Sequence, residues 1–294
     1  MTDFIGNLGG ITIGAESIWN TAVVPDVELW CISSTLKPDH AIVETEHLAF
    51  TPQNFTEYTV QTSLGEITSH WSFEKAIIGD VLGNLTADAT NIYVMGTNAA
   101  PDNPGLSILQ NTGGSTGMAW IHSGCKINSL TISAEPNKYP RFSMSLVGGS
   151  TTADAEAAIT LPAITSIATH ADFANVTINS VVMGCNSVSV TIERPLSGAD
   201  RVFVGGTTLT EPVQVGPFKI TATMNVDLSN TLLRDSEDIL EKFKAKTALG
   251  VITMGSNISL AECRMTGDWP ALGEGIQKFP INVVATSCAI TTTV

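Results

Sequence analysis

The sequence is poor in charge and in aromatic rings, with 14% charged and 6% aromatic residues over 294 positions. Cations are scarcest. Only 14 Lys and Arg stand against 28 Asp and Glu, a formal charge of −14, and such a surface repels phosphate, which excludes a tight direct grip on nucleic acid. Cysteine is sparse and odd in number. Cys31, Cys125, Cys185, Cys263 and Cys288 are widely spaced with no C-x-x-C pair, so buried, reduced thiols are expected rather than a disulfide framework. No run of 18 apolar residues occurs, so no spanning helix is expected. The opening MTDFIGNLGGITIGAESIWN lacks the charged start and apolar run of a secretory signal, and the expected place of synthesis is the cytoplasm.

Catalytic patterns are missing as well. His40, His47, His70, His122 and His170 are scattered, and none sits with Cys or carboxylate at zinc spacing. There is no G-x-S-x-G elbow and no G-x-x-x-x-G-K-[ST] loop. Gly6, Gly9, Gly10 and Gly14 do not form G-x-G-x-x-G after a strand, so residues 1–26 are expected to be a flexible N-terminal arm. Glu44 and Glu46 beside His47 would point to one side of an extended chain, a pairing that acid–base chemistry can use. With no nucleophile or metal partner nearby, a solvated or pore-facing acidic edge is the better reading. No enzyme, catalytic residue, metal or cofactor is expected.

What is present is apolar alternation. Hydrophobic residues reach 43% and mean hydropathy is +0.21, which implies that part of the surface meets other chains. Residues 124–147 predict a β-hairpin. Leu130 and Ile132 alternate with hydroxyl residues in one arm and Phe142, Met144 and Leu146 in the other, with Pro136, Asn137 and Pro140 between them. Lys278-Phe279-Pro280-Ile281-Asn282-Val283-Val284 repeats the second arm.

Other features recur in the same order. A strand at Cys31 resembles one at Cys185, and the alternating Ile67, Trp71 and Phe73 have a partner in Phe218, Ile220, Ala222, Met224 and Val226. A short helix with the stripe Ile77, Ile78, Val81, Leu82 and Leu85 corresponds to a longer one over 229–246, and Met95-Gly96 corresponds to Met254-Gly255. The expectation is therefore a duplicated chain: arm 1–26, first unit 27–147, linker 148–162 and second unit 163–294. Residues 97–117, dense in Pro, Asn and Gly, are expected to be a surface loop inserted in the first unit only.

Gly14-Ala15-Glu16-Ser17-Ile18-Trp19-Asn20-Thr21 before Pro25, the Gly65-Glu66-Ile67 and Trp71-Ser72-Phe73-Glu74 strand, and the 124–147 hairpin together resemble the tail tube (major tail) proteins of long-tailed bacteriophages. Members often carry Gly-Thr where this chain has Asn20-Thr21. The resemblance covers most of the chain and implies a mainly β, α+β fold: two similar β-sandwich tube units in tandem, each flanked by a helix, assembling into a ring with a β-barrel lumen. It implies a structural virion protein whose stacked rings form the hollow tube that delivers DNA. The partners implied are other copies of the chain, a tape measure protein in the lumen, other tail proteins, and genomic DNA in transit, with no membrane. Sixfold symmetry in that family, combined with two units per chain, leads to the expectation of three chains per ring, and the acidic balance to that of a net negative lumen. The location implied is the virion tail, after assembly in the host cytoplasm. A capsid or decoration protein, or a host- or carbohydrate-binding β-sandwich, is the alternative; the latter would display exposed aromatics from among Trp19, Trp30, Trp71, Trp120 and Trp269.

Overall fold

A computed structural model describes residues 10–37, 42–44, 56–58, 64–111, 118–155, 167–173, 175–197, 209–227, 239–267 and 278–293. Strands dominate. The first half contains β1 (Gly10–Glu16), β2 (Val27–Leu29), β3 (Cys31–Ser34), β4 (Ile42–Glu44), β5 (Thr56–Tyr58), β6 (Gly65–His70), α1 (Lys75–Leu85), β7 (Ile92–Met95), β8 (Gly105–Asn111), β9 (Met118–Ala134), β10 (Arg141–Val147) and β11 (Ser150–Ala155). The second half follows with β12 (Val176–Ile178), β13 (Val181–Met183), β14 (Cys185–Glu193), β15 (Lys219–Asp227), α2 (Ile239–Lys244), β16 (Gly250–Met254), β17 (Ile258–Thr266), β18 (Lys278–Ala285) and β19 (Ser287–Thr291).

Alternation dictates the longest run of pairing. Phe142, Met144 and Leu146 are buried and face Ile132, Leu130 and Ile127 across the β9–β10 hairpin, whose turn places Asn137 at φ 60. From there antiparallel pairing runs as β3–β6–β10–β9–β14–β15–β18–β17, a long sheet whose apolar face carries Ile67, Met144, Ile132, Val190, Met224 and Ile281. Two shorter runs, β2–β1–β8–β9–β11 and β13–β12–β16–β17–β19–β7, share β9 and β17 with the long sheet. One apolar core joins all of them. Helix α1 contributes the predicted stripe, with Ile77, Ile78, Val81, Leu82 and Leu85 all buried. Each such side chain stabilises by roughly 1.5–3 kcal/mol relative to exposure.

The sheet network of one chain is not closed into a barrel. Its seventeen strands form an open antiparallel network. Several local expectations also change. Residues 10–16, within the predicted arm, are the interior strand β1, paired on both sides. Residues 105–111, within the predicted surface loop, are the buried strand β8. The predicted linker begins with β11, which pairs with β9. Finally, β7 and β16 are not topological counterparts: β7 extends the second half's shorter run beside β19, whereas β8 holds the place next to β1 and β9 that β16 holds next to β12 and β17. Helix α2 is described only over Ile239–Lys244, so Leu232 and Leu233 lie outside the described residues.

Candidate assembly surface

The opposite face of the long sheet carries small polar groups, as the sequence alternation requires. Hydroxyls and amides bond across the strands: Thr131 Oγ1 with Thr191 Oγ1 at 3.0 Å, Thr223 Oγ1 to Asn282 Oδ1 at 2.9 Å, and Asn225 Nδ2 to Ser187 Oγ at 2.7 Å. Charges are few and offset. Glu66 accepts from Ser143, and Glu193 pairs with Lys219 at 3.1 Å. The His70 pKa is lowered, first by burial and then by the Arg141 charge. Among the described side chains of this face, acidic ones do not outnumber basic ones, and hydroxyls predominate.

Both ends of the long sheet are open among the described residues. Strand β3 pairs only with β6 on that sheet, and residues 264–266 of β17 pair only with β18. An open edge exposes unpaired N–H and C=O groups and templates further strand pairing. Near β3, Trp30 and Ile32 are 48% and 41% exposed.

Between the halves the same kind of edge is filled. Strand β9 pairs with β14 from Ala134↔Val188 to Ser129↔Glu193. Above that seam Lys126, buried, donates from Nζ to Glu211 Oε1 at 2.6 Å and to Pro212 O at 2.9 Å. Arg194, also buried, donates to Asn84 O at 2.6 Å. Removing water from such cations is costly unless they are paired, so this junction is held by charge-assisted bonds as well as by strand pairing.

The opening motif clamps the bend at which β9 passes from one run to the other. Gly124 has φ 65, and its N–H donates to the buried Glu16 Oε1 at 2.9 Å while its carbonyl accepts from Trp19 Nε1 at 3.1 Å. Ser107 Oγ also donates to Glu16 Oε1 at 2.8 Å, and Asn20 N–H to Oε2 at 2.8 Å. Asn20 itself has φ 58, a left-handed conformation open to Gly and Asn, which accounts for Asn at this position. The motif is architectural, and sequence spacing alone did not disclose that Glu16 would be buried.

The residues weighed for chemistry are not brought together. Glu44 lies in β4, while Glu46 and His47 fall outside the described residues. Among the described residues no three His, Cys, Asp or Glu side chains gather as metal ligands would, and all five cysteines are unbridged. Burial pushes the Cys263 thiol up to about 11 and Cys288 to about 12, which makes both poor nucleophiles. Trp71 is fully buried against Phe73 and Phe142; Trp19 and Trp120 are half-buried, and Trp269 is outside the described residues. No described helix is long and apolar enough to cross a membrane.

No curated protein matches the chain. The profile of a family described as phage tail tube protein matches residues 6–267, a span that takes in the clamp, the hairpin, the seam and the open edges of the long sheet, and leaves out β18 and β19. The chain belongs to the phage tail tube protein family, and its role is that of a structural component of the virion tail.

Proposed function

We propose that the chain is two tube units in tandem, that three chains close into a pseudo-sixfold ring, and that stacked rings form the conduit for DNA. The carrying observation is the seam β9·β14. It extends one sheet from the first half into the second, and it uses the strand positions that lie open as β17 and β3 at the chain's two ends. Repeating that seam between copies removes every open edge of the long sheet, which is the gain on closing a barrel.

The pairings support the duplication. β1·β2, β1·β8, β8·β9, β9·β10, β10·β6, β6·β3 and β9·β11 correspond in order to β12·β13, β12·β16, β16·β17, β17·β18, β18·β15, β15·β14 and β17·β19. Bulges also recur at one place. The register shifts between Cys31 and Ser33 and again between Cys185 and Ser187, and each thiol donates to the serine carbonyl two residues on. On this reading the units run from β1 to β11 and from β12 to β19.

The hydroxyl-rich face of the long sheet then lines the bore. Few unpaired cations are available there to bind phosphate, so DNA and a tape measure protein pass without salt-sensitive sticking. Assembly takes place in the host cytoplasm, and other tail proteins cap the tube. Native mass measurement of a released ring, with averaged end-on views of tubes, tests the reading: three chains per ring are expected, and six would overturn the tandem assignment.

A further inference from the structure

Lys126 and Arg264 hold the same place in the two halves. Counted from Phe142 and Phe279, the partner strands bring Val147 opposite Lys126 and Val284 opposite Arg264. Lys126 has only 6% of its side chain exposed and is paired with Glu211, which the segment between β14 and β15 supplies. Arg264 stands exposed at the open edge, and none of the described ion pairs includes it. Around it lies a recess of about 500 Å³ lined also by Lys242, Lys244 and Lys246. Three lysines and Arg264 therefore line one hollow beside the edge.

In the first half, the counterpart of the segment that carries Glu211 is the stretch between β3 and β6. Residues 38–64 contain Asp39, Glu44, Glu46 and Glu57 and no Lys or Arg. We propose that the recess at Arg264 receives this acid-only segment from a second copy, as Lys126 receives Glu211 within one chain. The inference rests on the ring reading and adds the contact that sets which edges meet. Opposite charges at the two ends of the open sheet steer β17 of one copy onto β3 of the next and disfavour like-end encounters. They also make closure sensitive to salt, since the screening length falls from about 10 Å at 0.1 M to about 3 Å at 1 M.

Tubes grown from mixed isotopically light and heavy protein and treated with a carbodiimide test the contact, because that reagent joins an amine to a carboxylate in direct contact. Mixed-isotope peptides linking Lys242, Lys244 or Lys246 to Asp39, Glu44, Glu46 or Glu57 are expected; links from these lysines to other acids alone, or none, would overturn the proposal. A charge exchange gives a second readout. Lys246→Glu with Arg264→Glu is expected to raise the protein concentration needed for assembly about tenfold at low salt, with an unchanged thermal melt of the monomer, and adding Glu44→Lys with Glu57→Lys is expected to reverse it. Assembly at the wild-type concentration and salt dependence, or a defect that the exchange leaves unchanged, would sink the proposal. Either result leaves the ring reading standing as long as wild-type protein forms rings, and its failure to do so is the separate failure of that reading.

Discussion

Two titratable residues, the half-buried Asp80 and the buried His122, set opposite limbs of the pH profile. Burial, reinforced by the Asp26 carboxylate, pushes Asp80 on α1 up to about 6. A folded-state value above the unfolded one means that this group's contribution is full below about pH 4 and is lost as pH rises through 6. Asp80→Asn is therefore expected to raise stability by about 2 kcal/mol at pH 7.5 and to change little at pH 4, read from thermal melts at the two values. His122 has the other sign. Burial lowers it to about 4, and its Nδ1 lies 2.9 Å from Thr151 Oγ1 while Nε2 is buried without a partner. Its contribution is full above about 6.5 and falls away as pH drops toward 4, so His122→Gln is expected to flatten the acid limb of the melting curve. If the variant keeps the wild-type acid limb, His122 is not the group that titrates there.

The elements legible in the sequence are those with one wet face. Strands β10, β15 and the paired half of β9 alternate because one side meets the core and the other meets water, and the period-2 test finds them. Strands β1 and β8 look like arm and loop in the sequence for the opposite reason. Residues 11–14 and 105–109 are buried on successive positions, covered by α1 on one side and by the core on the other, so no alternation survives to be counted. The bends in β9 and β17 were equally hidden, because they depend on backbone conformation. Gly124 bends β9 at φ 65, and Glu262 bends β17 at φ 48, a left-handed conformation that costs a residue with a Cβ about 1 kcal/mol. Glu262→Gly is expected to be neutral to stabilising by up to about 1 kcal/mol. Gly124→Ala is expected to destabilise by about 1–3 kcal/mol, since its Cβ would also meet Asn20 Cβ at 3.0 Å and Trp19 Cε2 at 3.1 Å. Denaturant midpoints of the two variants moving in the same direction would contradict this account of the bends.

At the scale of the whole molecule, the ring reading makes a single backbone N–H the difference between folding and assembly. Along the strand that begins at β3, Thr35 donates to Glu66 O at 2.9 Å and Lys37 to Leu64 O at 3.0 Å, so alternation turns the N–H of Ser34 toward the open edge, while that of Leu36 donates to Ser34 Oγ at 3.2 Å. The likeness of the Cys31 and Cys185 strands and of the Phe142 and Phe279 strands is legible in the sequence, but the open edges are not, because an edge is a property of pairing and no residue type spells it. Proline distinguishes the two sides of the strand, since it removes one donor and tolerates an extended edge. Ser34→Pro deletes the outward donor and, with it, the exposed-edge hydroxyl that accepts from Leu36 N–H, and is expected to leave the monomer melting within a few degrees of wild type while abolishing rings. Thr35→Pro deletes the inward bond to Glu66 and is expected to cost about 3 kcal/mol in the monomer itself. Melting curves paired with negative-stain counts of rings check both variants: rings from Ser34→Pro at wild-type frequency would mean that the β3 edge stays unpaired in the tube, and closure would then have to use some other surface of the chain.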